Sequence, residues 1–129
     1  MPKVFRLSEQ YLIRAEARAN QKNYSGASKD LSDLRRARFQ GGNGSISVSE
    51  QNWLEIIEEE RVRELYMEGF RLHDLKRWHK GFERKPQEQS LANGSSLKIE
   101  ADDVRFVWPI PKHELESPGS QIQPNESNK

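Results

Sequence analysis

Cysteine is absent from the 129-residue sequence, which removes disulfides, thiolate nucleophiles and cysteine-ligated metals. Long apolar runs are missing too. None approaches the roughly 18–20 residues that a membrane span needs, so no direct membrane insertion is expected of this segment. The opening MPKVFRLSEQ lacks the apolar stretch of a secretory signal. Nor is there an excess of one charge: 21 Lys and Arg face 20 Asp and Glu, for a net +1 and a pI near 8.0. A nucleic-acid footprint wants an uncompensated basic face and a pI above about 9, so nucleic acid is not an expected partner. Bulky aliphatic residues are scarce. Leu, Ile, Val and Phe form about 22% of the chain, just above the roughly 20% below which chains stay unfolded. The expected core is small, and is expected to be completed by the rest of a larger fold.

What the sequence does contain is charge laid out in blocks. Residues 1–45 carry a net +5, residues 46–68 a net −5, residues 69–85 a net +4 and the remainder −3. An acidic segment between basic neighbours predicts oppositely charged helices packed together.

Two helices open the chain. In residues 7–21 Leu12, Ala15 and Ala19 recur at helical spacing beside Tyr11. Asn23-Tyr24-Ser25-Gly26 interrupts the pattern, with Ser25 the expected cap of a second helix that runs to about Phe39. Ala27, Leu31 and Leu34 make its apolar stripe, and Lys29, Asp33 and Arg36 its other side. Tyr11, Ala15, Ala27, Leu31 and Leu34 sit at the packing spacings of a tetratricopeptide hairpin. Arg14 and Arg18 occupy positions that such a hairpin usually makes apolar. QGGNGS at 40–45 reads as a loop turning at Asn43-Gly44. Ser47-x-x-Glu50 fits a capping box and predicts the start of a third helix. Beyond it, 83–96 is loop-like with a second turn at Asn93-Gly94. Residues 97–100 and 104–108 are expected to be extended, Pro111 to start one short helical turn, and the proline-rich tail to lie extended over a surface.

The segment EEERVRELYMEGFRLHDLKRW, residues 58–78, holds the densest pattern. On a helical wheel over 53–78, Leu54, Ile57, Val62, Leu65, Leu72 and Leu75 define a core side. Arg61 and Glu68 fall inside that stripe, with Glu58 and Glu64 inside it or at its edge. Charges at such positions need partners, so Arg61, Glu64, Glu68, Arg71 and Asp74 are assigned to a structural ion-pair network. Gly69 marks a kink, a helix end or a close backbone approach. Glu60, Glu64 and Glu68 on one side of a helix also resemble paired carboxylates for acid–base or glycosidase chemistry. Arginine neighbours favour the ionised form and oppose a raised pKa, so no catalytic residue is expected. His73 and Asp74 diverge by about 100°, and His79 and His113 stand apart, so no metal or cofactor is expected. Among the aromatic residues Trp53 and Trp78 lie off the leucine stripe and are the candidate sugar-stacking platforms.

Three stretches together resemble the SusD/RagB family of nutrient-uptake lipoproteins. FRLSEQYLIRAEARA is similar to its R-x-x-E-x-Y-L-x-R-A-E-A helix. Glu60, Arg61, Glu64, Leu65, Glu68, Gly69, Arg71, Asp74, Leu75 and Arg77 are similar to its E-R-x-x-E-L-x-x-E-G-x-R-x-x-D-L-x-R signature. Trp108-Pro109-Ile110-Pro111 with Glu114 is similar to its P-I-P-x-x-E. The resemblance implies an all-α fold of tetratricopeptide-like hairpins with irregular loops and a Pro-rich C-terminal segment, residues 1–129 forming one domain from the C-terminal part of such a protein. It implies a non-enzymatic surface lipoprotein of the outer membrane that captures an oligo- or polysaccharide and caps a TonB-dependent transporter. The tail SPGSQIQPNESNK departs from the family's Asn-rich close, which predicts a tail less firmly docked. A helical-hairpin scaffold for protein partners is the alternative reading.

Overall fold

The computed structural model describes residues 6–39, 41, 44–85 and 97–128. They fold as an all-α chain with one minimal β-ladder, in two compact units, 1–69 and 70–129. The two Asn-Gly turns, at 43–44 and 93–94, involve residues outside the described ones.

The first unit is built on α1 (Leu7–Asn20), against which α2 (Tyr24–Arg38) and α3 (Trp53–Glu64) both pack. Leu12, Ala15 and Ala19 of α1 and Ala27, Leu31 and Leu34 of α2 are all buried. The alanines let the two helices approach closely. α1 ends in a Schellman turn: Lys22 N–H donates to the Ala19 carbonyl and Asn23 N–H to that of Arg18. Lys22 takes the left-handed conformation there, with φ of 61°. The cap of α2 is Asn23, not Ser25; its side-chain oxygen accepts from Gly26 N–H at 3.0 Å.

Residues 44–49 run alongside α2 and close the small core with Ile46 and Val48. Two serines one turn apart on α2 hold this segment. Ile46 N–H donates to Ser32 Oγ and Val48 N–H to Ser28 Oγ, each at 2.9 Å. The expected capping box does not form: α3 starts at Trp53, and Asn52 Oδ1 accepts from Ser49 N–H at 2.7 Å. Nor is 53–78 one helix. α3 stops at Glu64, Met67 and Gly69 adopt φ of 60° and 83°, and a new helix begins at Phe70. The break resets the helical phase, so Ile57, Leu65 and Leu75 are buried while Val62 and Leu72 of the supposed stripe are exposed. A side chain at Gly69 would meet nothing within 4 Å. Its role is conformational.

The second unit begins with α4 (Phe70–Arg77), which buries Asp74 and Leu75. It too closes in a Schellman turn, with left-handed His79. β1 (Phe82–Glu83) then pairs antiparallel with β2 (Lys98–Ile99), Phe82 opposite Ile99. Residues 104–106, expected to be extended, form a 3-10 turn that buries Phe106 and is capped by Asp103. Pro111 precedes the single turn α5 (Lys112–Leu115), as expected.

The tail departs from expectation, because two asparagines dock it. The Asn128 amide accepts from Ile110 N–H at 3.0 Å and donates to the Ile110 carbonyl at 2.9 Å. It therefore pairs with that residue as a neighbouring strand would. Asn125 donates to the Trp108 carbonyl at 2.9 Å.

Candidate functional site

Three groups of residues carry chemistry: the buried carboxylates of the first unit, the paired acids of the second, and the tryptophans.

Three carboxylates of the first unit, Asp30, Glu60 and Glu64, are gripped by arginines. Asp30, only 1% exposed, accepts from Arg14 Nε at 3.0 Å and from the terminal nitrogens of Arg14 and Arg18 at 2.7 Å each. Arg14 and Arg18 are one turn apart on α1, and both reach the same acid on α2. This explains why arginines stand at positions a tetratricopeptide hairpin would make apolar. Nothing in the sequence singled out Asp30, which lies between Lys29 and Asp33 like any surface acid.

Glu60 and Glu64, one turn apart on α3, form the second and third grips. Arg35 Nε donates to Glu60 at 3.0 Å, and Arg38 Nε to Glu64 at 2.9 Å. Arg63 of the same helix also donates to Glu60. Two rungs thus bridge α2 and α3, through long side chains rather than close helix contact. Arg6, just before α1, donates to the Glu64 carbonyl at 2.6 Å and pairs with Glu68 at 2.7 Å. It thereby clasps the turn that separates α3 from α4. Of the other assigned network residues, Arg61 is buried, Arg71 is exposed, and buried Asp74 accepts from Arg77 Nε at 3.0 Å. The sequence pointed to pairing among neighbours on one helix. The partners found for Glu60, Glu64 and Glu68 are mostly arginines from elsewhere in the unit.

Pairing with cations favours the ionised form of three acids, Glu64, Asp33 and Asp103. The Arg38 hydrogen bonds, chiefly, hold Glu64 below its ordinary value of 4.5. Lys29 does the same for Asp33, with Arg36 adding to it. In the second unit Arg105 holds Asp103 at about 2, through its side chain first and its backbone N–H second. A carboxylate with a depressed folded pKa lends stability above its unfolded value, and that stability is lost as pH falls through the folded one. The first unit should therefore be at full stability above pH 4.5 on account of Glu64 and weaken progressively below it. Glu64→Gln is expected to be less stable than wild type at pH 7 and to lose stability less steeply on acidification, measured by urea denaturation at pH 7, 4.5 and 3. Parallel pH profiles would show that Glu64 contributes nothing to acid sensitivity.

The three tryptophans differ sharply in what they offer. Trp53 is half-buried at the start of α3. Trp78 is half-buried too, and the Arg77 guanidinium lies over its ring, 4.3 Å from the centroid. Trp108 is 80% exposed. Sequence reasoning favoured the first two, because the wheel placed them off the apolar stripe. It had no means of seeing that Trp108 is turned outward.

A family model described as the SusD family matches residues 2–126, nearly the whole chain. No curated protein and no solved structure matches it.

Proposed function

The chain belongs to the SusD family, and we propose that it serves, as part of a surface lipoprotein of the outer membrane, to capture an oligo- or polysaccharide for a TonB-dependent transporter. The observation that carries this reading is the family match over 2–126, since the family is in general one of nutrient-binding proteins that work with such transporters.

The state of the acids supports binding rather than catalysis. Glu60 and Glu64, the best-placed pair for hydrolysis, each accept hydrogen bonds from an arginine of α2. A general acid needs its proton near neutral pH, and the Arg38 hydrogen bonds hold Glu64 below its ordinary value. No helix of the described residues is long and apolar enough to cross a membrane.

Two measurements test the proposal. The tagged protein, isolated from outer membranes of its native host, should bring a TonB-dependent transporter with it. The 129-residue chain should be retarded in native gels cast with at least one of amylopectin, arabinoxylan, pectin or mucin. A preparation without transporter and a folded chain that runs freely in all four gels would together sink the reading.

A further inference from the structure

We propose that Trp108 is a ring-stacking platform for a pyranose, the face on which this segment receives a glycan. The inference rests on the glycan-capture reading and names the surface that performs it.

The indole stands out by exposure and by rigidity together. It is 80% exposed, yet the backbone that carries it is held on both sides. Upstream, the buried Phe106 anchors the 3-10 turn, which closes with Val107 N–H donating to the Val104 carbonyl at 3.0 Å. The Trp108 carbonyl itself accepts from the Asn125 side chain at 2.9 Å. Downstream, the Asn128 amide takes both polar backbone groups of Ile110. Pro109 and Pro111 fix φ on either side of Ile110. An exposed tryptophan with no such support would lose backbone freedom on binding, and that loss would weaken the complex. Here the backbone is already ordered.

The residues beside the indole in sequence have the chemistry that a sugar needs. A pyranose has one face of C–H bonds and a rim of hydroxyls, so it wants a flat aromatic face with planar polar groups near it. Val104 and Val107, both about half exposed, extend the apolar surface in sequence. Between them lies Arg105, locked in place by Asp103: its Nε and one terminal nitrogen donate to the two carboxylate oxygens, each at 2.8 Å. A guanidinium has five N–H groups, so three are left to donate to hydroxyls. Trp78 makes the contrast, because its ring already carries Arg77.

The test uses the polysaccharide that retards the wild-type chain most strongly among amylopectin, arabinoxylan, pectin and mucin. Trp108→Ala is expected to weaken its binding about tenfold, as loss of a central aromatic anchor does. The melting temperature should not move, since the side chain removed is solvent-facing. Trp108→Phe, which keeps a smaller aromatic face, should recover part of the loss. Phe39→Ala, an exposed aromatic of the first unit, should bind like wild type. Equal retardation of wild type and Trp108→Ala overturns the platform while leaving glycan capture in place, and hands the exposed indole to a protein partner. A wild-type chain that no polysaccharide retards overturns the platform as well. Co-isolation with the transporter does not depend on Trp108, and it then decides whether the broader reading survives.

Discussion

Replacing Asp30 with alanine is expected to lower the unfolding free energy by about 3 kcal/mol, at the lower end of what removing one partner of a buried charge group costs. The carboxylate is 1% exposed and accepts from two arginines of the facing helix. Its loss leaves a cavity between α1 and α2 and strips both guanidinia of their counter-ion. Arg18 also donates to the Gly26 carbonyl at 3.2 Å, so the turn of the hairpin loosens with it. Both arginine side chains reach solvent, with 53% and 32% exposure. They can rehydrate, which keeps the loss below that of a charge sealed away from water. Asp30→Asn preserves the shape and one acceptor, and should cost roughly half as much. Urea denaturation followed by circular dichroism at 222 nm reads both. A loss under about 1 kcal/mol for Asp30→Ala would place the triad with weak surface pairs. Replacing Arg14, Arg18 and Asp30 together with well-packed apolar residues should recover much of the stability, because no charge is then left without a partner.

This triad also shows which parts of the molecule could be read beforehand. The helical hairpin was legible because burial follows a 3.6-residue period, and Leu12, Ala15, Ala27 and Leu31 keep to it. The family signature was legible as a string of residue types at fixed spacing. What joins the helices was not. A wheel compares residues one or two turns apart on one helix, whereas Glu64 finds Arg6 and Arg38, 58 and 26 positions away. The only advance sign of Asp30's burial was the misfit of Arg14 and Arg18 on the apolar side of α1. Two charges one turn apart where a hairpin wants apolar residues point to a buried acid opposite.

The helix break at 65–69 was half visible. Gly69 announced a kink, a helix end or a close backbone approach, but Met67 also takes the left-handed conformation, with a side chain that favours helix. Lys22, His79 and Asp102 do likewise, at roughly 1–2 kcal/mol each by sterics alone. Only surrounding structure holds such residues there. Trp108 was invisible for a related reason, since a tryptophan in a proline-rich stretch could equally well have turned inward.

The second large effect is expected at Gly81. Among the described glycines it is the one where a side chain would come nearest to other backbone. A Cβ there would lie 2.2 Å from the Ile99 carbonyl oxygen, 2.8 Å from the Glu100 carbonyl carbon and 2.9 Å from the Ala101 nitrogen. None of these atoms belongs to a side chain that could swing away. The next residue, Phe82, is already in register with Ile99, so moving the strands apart breaks the ladder. Three residues before Phe82 and three after Ile99 the crossing is pinned again: left-handed His79 and Asp102 meet at 2.7 Å through Nδ1 and Oδ1. Gly81→Ala should therefore cost about 3 kcal/mol, in the range of overpacking a tight site. Gly69→Ala provides the comparison. Its φ is 83°, but open space surrounds the new methyl, so only the conformational cost of about 1 kcal/mol applies. Urea denaturation of both variants measures the difference, and equal losses would mean that the crossing at Gly81 can relax. The consequence for function follows the chain. β2 leads directly into the Asp103-capped turn that carries Trp108, so a shift of Ile99–Ala101 disturbs the backbone on which the indole stands. Gly81→Ala should weaken glycan retention as well as stability, whereas Gly69→Ala should leave retention unchanged.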